Sequence, residues 1–315
     1  MAAAEKKLVG PLVLSPIPTE RIWGVTSLEP WFDVSGLEKP IGEAWLTSED
    51  CPIARGSLLG ETLGQAAMEL PELLAAPEVG GFPLLIKVLF PREKLSVQVH
   101  PNDAQALAAG KPHGQGKTEC WYVLSAAPGA TVAVGFKEAL TLDQVREAID
   151  DGTLEDKLDA VPVKTGDMIF VEAGTVHAIG PGVVILETQQ YSDVTYRMFD
   201  YGRPRELHLE AGLAVTRVTT GAKPVGSVEV EGHTELVRSK YFVVDRFDML
   251  AERSVQLGHV NELQILIALQ TGCTLIAEDG SSTTLPKAHA VVVPGEGVSY
   301  SVLGGNEAEV IRVRR

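Results

Sequence analysis

The sequence predicts a mainly β protein built from two β-barrels with a few short helices, and three observations carry that expectation. Extended segments rich in β-branched residues recur in two series, Gly and Pro stand between them, and a stretch late in the first series resembles one late in the second. Many short strands separated by turn residues are the pattern of a sandwich or barrel.

The first series comprises LLIKVLF (84–90), LSVQV (95–99), ECWYVL (119–124), DMIFV (167–171) and GVVILET (182–188). The second comprises YFVVDRFDM (241–249), LQILIALQ (263–270), CTLIAE (273–278), HAVVVP (289–294) and EVIRVRR (309–315), the last expected as an edge strand with a charged end. Helical spacing is confined to short stretches. ETLGQAAMELPELLAA (61–76) is interrupted by Pro71, and DAQALAAG (103–110) has Asp103 as N-cap and Gly110 as stop. TLDQVREAIDDG (141–152) pairs Thr141 with Gln144 as a capping box, and RELHLEAGLAVTR (205–217) forms a connector between the two series. Laying GDMIFVEAGTVHAIG (166–180) against HAVVVPGEGVSYSVL (289–303) matches strand, Gly turn and strand, with each pair expected as a tight hairpin. With His289 set beside Asp167, His177 falls opposite Ser299, so the second copy of a duplicated barrel lacks that imidazole.

At 315 residues the chain has room for two ordinary domains, and 45% apolar with 22% charged residues is a globular composition. The formal charge of -15 repels a phosphate backbone, which excludes nucleic acid as a partner. No apolar run approaches the ~20 residues of a membrane span and the N-terminus lacks a secretory pattern, so a cytoplasmic location is expected. Cys51, Cys120 and Cys273 are too few and too scattered for a disulfide framework or a metal knuckle. An anionic substrate would need its positive charge from a few Lys and Arg gathered in one pocket.

LSVQVHPND (95–103) gathers polar side chains on one strand. Leu95, Val97 and Val99 alternate as the apolar face of a strand, leaving Ser96, Gln98 and His100 together on the other. Glu119 lies inside an otherwise apolar strand, where a carboxylate needs a partner, and His177 follows AGTV. Gln98, His100, Glu119 and His177 together offer two imidazoles, a carboxylate and an amide oxygen. That set suits a borderline divalent ion such as Zn²⁺ and, having no thiolate, leaves room for water or substrate. His113 is assigned to a loop, and His208, His233, His259 and His289 have no ligand-like partner.

LSVQVHPND, GKTECWYVL, GDMIFVEAGTVHAIG and DVTYRMFDYGR resemble the signature blocks of the type I mannose-6-phosphate isomerases, zinc-dependent cupins, in their short bacterial form. LSPIPTERIWG and IGEAWLTSED are similar to the same family's opening blocks, so the likeness runs from about residue 11 to 217. It implies two cupin-type barrels, or jelly rolls. A catalytic, metal-binding one with helical insertions would fill 1–217, and a second without metal ligands 218–315. It also implies one zinc ion per chain on Gln98, His100, Glu119 and His177, with Glu43, Lys87, Ser96, Lys117, Glu187, Asp193 and Arg197 around a sugar phosphate.

The chemistry of such a reaction fits these residue types. Moving a proton between C2 and C1 of a sugar phosphate needs a base, and Glu187, Glu43 and a metal-activated hydroxide all remain open, with Glu187 placed first. Arg197 can donate to the developing oxyanion. Lys87, Lys117 and Ser96 supply charge and a hydroxyl for phosphate, and Arg203 is a further donor. Two other classes remain: a cupin non-haem iron dioxygenase, which also uses two His and one carboxylate, and a non-catalytic sugar-phosphate-binding cupin. A monomer is compatible with all three.

Overall fold

A computed structural model describes residues 9–74, 80–110, 115–218, 225–230, 232–249, 254–305 and 308–315. His113 lies outside the described residues. The strands form four open sheets, of eight, six, five and four strands, rather than the closed barrels expected.

The four sheets stack in layers. Trp121, Val123, Ile169 and Ile185 of the six-stranded sheet meet Val132, Val134 and Ile179 of the five-stranded one in a single core. The opposite face of the six-stranded sheet, with Ile86, Val88 and Leu186, packs on Ile265, Ile267, Val292 and Ile311 of the eight-stranded sheet. Leu266, Val291 and Val310 then face Leu275, Tyr300 and Val302 of the four-stranded sheet. This is the alternation a strand requires when both of its faces are covered.

The two series of strands share one strand order. Counting eight strands from Leu84–Leu89 and eight from Val243–Met249, each run sets its first, eighth, third and sixth strands side by side in one sheet. Its second, seventh, fourth and fifth lie in the facing sheet. The segments 166–180 and 289–303 occupy the same place in the two runs, but neither is a hairpin. Met168–Val171 and His177–Ile179 belong to different sheets, as do Ala290–Val293 and Val298–Gly304, so each Gly turn is a corner that carries the chain across the sandwich. Ser299 faces outward, hydrogen-bonded to His259 at 3.0 Å, while Val298 and Tyr300 join the core. An apolar side chain, not Ser299, therefore takes the inward place of His177.

The N-terminal strands add to both halves. Ile17–Val25 and Ile41–Trp45 extend the six-stranded sheet, whereas Leu12–Leu14 and Ile53–Arg55 cross over to extend the eight-stranded one. The C-terminal strand Ala308–Arg314 is not an edge: it pairs with Val243–Met249 on one side and Gln264–Ala268 on the other. Its arginines are tolerated in mid-sheet because the buried Asp245 accepts from Arg312 and Arg314.

Helices form where local signals are complete. Thr141 and Gln144 cap Leu142–Asp150 reciprocally, and Pro71 separates Leu63–Glu69 from Pro71–Leu74. The N-cap of Asp103–Ala108 is Asn102, not Asp103. Asn102 is extended and exchanges bonds with Gln105, whereas the Asp103 carboxylate is engaged elsewhere. Of the stretch 205–217 only Leu209–Val215 is helical, because Arg205 is tied back to Asp200; this helix covers Met198 and Val99 on the outer face of the five-stranded sheet.

Candidate active site

Two facing rows of side chains define the site. On the six-stranded sheet Trp45, Lys87, Glu187 and Trp121 are cross-strand neighbours in register, so they share one face. On the five-stranded sheet Arg197 and His177 flank Gln98 from the two adjacent strands. Lys117, Glu119 and Trp121 fall at successive alternate positions, as do Glu43 and Trp45, and each set points the same way.

Between the rows lies a cavity of about 410 Å³, with Arg21, Glu43, Lys87, Ser96, Gln98, Lys117, Glu187, Asp193, Arg197 and Arg205 among its lining residues. His100, Glu119 and His177 form its floor and are at most 1% exposed. Apart from Arg203, the site residues expected from the sequence thus lie in or under one cavity. Leu95 also lines it, rather than sharing the outer face of Val97 and Val99. Arg203 is not among the lining residues and pairs with Asp200 instead.

The floor fits a divalent ion. His177 Nε2 is 3.4 Å from Glu119 Oε1 and His100 Nε2 is 3.5 Å from Glu119 Oε2. The three candidate ligand atoms all lie within 4.8 Å of one another. An ion held tetrahedrally at about 2.0–2.1 Å keeps its ligand atoms about 3.3–3.5 Å apart. Each imidazole donates its Nδ1–H to a backbone carbonyl at 2.8 Å, His100 to Val194 and His177 to Thr175, which fixes the tautomer that leaves both Nε2 lone pairs facing the centre. Burial drives both rings toward the neutral form, His177 down to about 4 and His100 well below the ordinary imidazole value, with the Lys117 charge adding to it. The Gln98 amide is 3.3 Å from His177 Nε2, and an end-for-end turn presents its oxygen to the same centre.

Above the floor the charges are interlocked. Lys117 Nζ donates to Glu119, lies 3.2 Å from His100 Nε2 and reaches Glu187 Oε1 at 3.6 Å. Burial alone would lower its pKa, but Glu119 and Glu187 outweigh that and raise it. Trp121 Nε1 donates to both Glu119, at 3.0 Å, and Glu187, at 3.2 Å. Burial pushes the Glu187 carboxyl up, with Lys117 opposing and Glu119 reinforcing the shift.

The outer wall is held more loosely. Lys87 pairs with Asp193 at 2.9 Å and lies 4.8 Å over the Trp45 ring. Glu43 accepts from Arg21 through two bonds, at 2.9 and 3.1 Å, and from Trp45 Nε1 at 2.6 Å. Arg197 Nη1 donates to the Glu206 carbonyl at 2.7 Å, not to Asp193 or Asp200, and its buried Nε has no partner among the described residues. Arg21, Trp45, Trp121 and Arg205 escape the sequence reading. Alternation from Glu43 and Glu119 would have found the two tryptophans, but no local signal marks Arg21 or Arg205.

A His–Glu–His cluster that could hold a metal ion lies beneath a cavity carrying cations and a buried carboxylate, between two β-sheets, as in a metal-dependent enzyme. The profile of the phosphomannose isomerase type I catalytic domain matches residues 13–123. The mannose-6-phosphate isomerase of Streptococcus mutans is 36% identical over 260 residues, 78% of this chain and 81% of that one. ManA, a mannose-6-phosphate isomerase of Bacillus subtilis, is 36% identical over 261 residues, 78% and 82% of the two chains. The crystal structure of the mannose 6-phosphate isomerase from Bacillus subtilis superposes with a TM-score of 0.84 at 30% identity, covering 96% of this chain and 99% of that one. The chain belongs to the type I mannose-6-phosphate isomerase family.

Proposed function

We propose that this cavity interconverts mannose 6-phosphate and fructose 6-phosphate by moving a proton between C2 and C1 through an enediolate. The observation that carries the reading is the convergence of His100, Glu119 and His177 with Lys117, Glu187 and Arg197 on one cavity. His100, Glu119, His177 and Gln98 would hold one zinc ion. When bound, the ion supplies Lewis-acid polarisation of the sugar oxygens.

The remaining roles follow from the side chains. Glu187 is the base: burial raises its pKa, and Trp121 and Lys117 fix its direction. Lys117 balances Glu119 and Glu187, a deeper role than phosphate binding. Arg197 directs its guanidinium at the oxyanion that develops on the sugar. Lys87 and Ser96 take the phosphate, while Glu43 and Asp193, oriented by Arg21 and Lys87, receive sugar hydroxyls. All of these groups come from one chain, so a monomer suffices.

The shared strand order supports reading the halves as two cupin-type jelly rolls, 1–217 and 218–315, with the Leu12–Leu14 and Ile53–Arg55 strands lent to the second. A cytoplasmic site of action suits the substrate; no helix among the described residues is long and apolar enough to cross a membrane. A coupled assay of zinc-loaded protein on a panel of sugar phosphates tests the function. Mannose 6-phosphate should turn over and unphosphorylated mannose should lag far behind. Equal rates on the two, or oxygen uptake without isomerisation, would refute it.

A further inference from the structure

We infer that Asp103 is a positioning residue for Lys117, and that Tyr241 lets the second half of the chain set that position. Asp103 Oδ1 accepts from the Gly116 N–H at 3.0 Å and from Gln190 Nε2 at 2.9 Å. Gln190 Oε1 in turn accepts from the Thr118 N–H at 2.9 Å, and the Lys117 N–H donates to the Pro101 carbonyl at 2.9 Å. The backbone is therefore pinned at Lys117 and on both sides of it. Gly116 lies flush against the start of the helix, where a Cβ would stand 2.5 Å from the Asn102 carbonyl carbon. The other oxygen, Oδ2, accepts from the Tyr241 hydroxyl at 2.7 Å. Tyr241 borders a cavity of about 540 Å³ with Asn102, Thr118 and Phe170, so its hydroxyl reaches Asp103 beside open space rather than from a filled core.

Lys117 Nζ donates to Glu119, lies 3.6 Å from Glu187 Oε1 and stands 3.2 Å from His100 Nε2. A small shift of residues 116–118 changes its relation to all three, and misplacement by about 1 Å can cost about 10²-fold in rate. The inference rests on the role given to Lys117 above. Asp103→Ala should lower kcat about 10²-fold. Asp103→Asn should recover part of that, since its amide oxygen still accepts from Gly116 and Gln190. Tyr241→Phe should lower kcat several-fold while KM, metal content and Tm stay at wild-type values.

The deciding arm repeats Asp103→Asn and Tyr241→Phe in a Lys117→Ala background, where neither should cause further loss. The same fold-loss with and without Lys117, a Tyr241→Phe enzyme with wild-type kcat, or a change confined to KM would overturn the relay. Lys117→Ala alone separates the two levels. A wild-type rate there removes the role of Lys117 and the relay with it, whereas a slow Lys117→Ala beside an unaffected Tyr241→Phe removes the relay only.

Discussion

The two halves of the chain place different chemistry on the same frame. Where the first sandwich has Lys87, Glu187 and Trp121 as cross-strand neighbours, the second has Asp245, Arg312 and Leu266 in the corresponding strands and register. One inward position further along, Glu119 is matched by Gln264. In the second half the charges pair with each other: Asp245 Oδ2 takes Arg312 Nε and Nη2 at 2.9 and 2.7 Å and Arg314 Nε at 2.9 Å, and Arg312 lies 4.8 Å over Phe247, while Asp245 Oδ1 and Gln264 Oε1 are buried without a hydrogen-bond partner among the described residues. In the first half the groups share partners but still border a cavity, so their remaining capacity faces a ligand. The same strand order thus accompanies a buried charge cluster in one half and the candidate active site in the other, and the difference lies in a few inward positions.

The two halves differ most consequentially at Glu119. Glu119→Gln copies the residue of the second half and should cut turnover by more than about 10³-fold, beyond the 10–100-fold typical of residues that only support a metal ligand. A variant retaining tight metal and turnover would show that the carboxylate is dispensable. Arg197→Ala comes next, with a loss of about 10²–10³ in kcat while fold and metal persist. Arg197→Lys should recover little, because a point charge lacks the planar fork. A change confined to apparent affinity would place Arg197 outside the chemistry.

Asp245→Asn probes the other half and should leave turnover per folded molecule unchanged. It strips the counter-charge from buried Arg312 and from Arg314, and removing one partner of a buried pair costs about 3–5 kcal/mol of stability. Denaturant unfolding with a parallel assay reads both numbers. Lost turnover at full stability would mean that the second half takes part in catalysis directly.

Period-two spacing makes Ser96, Gln98 and His100, and Lys117 with Glu119, legible as groups that share a face, whereas Glu43, Lys87, Glu187, Asp193 and Arg197 are legible through the blocks that resemble the family. What spacing does not fix is which sheet a strand enters. The Gly corners at 172–176 and 294–297 therefore look like hairpins, and the register of Ser299 turns on a single residue in the corner. Capping chemistry is ambiguous where Asn102 and Asp103 stand side by side, since both can accept from an exposed amide. The Arg-rich tail looks like an edge until Asp245, 67 residues from Arg312, is brought beneath it. Arg21 and Arg205 reach the cavity through tertiary packing, which no local pattern announces.

On this reading ion and chemistry both belong to the first half. Elemental analysis alongside turnover, for wild type, the double variant His100→Ala with His177→Ala, and Asp245→Asn, tests it most directly. One zinc per chain is expected in wild type and Asp245→Asn, and neither zinc nor turnover in the double variant. Two tightly held ions per chain, or an ion that survives loss of both imidazoles, would contradict it.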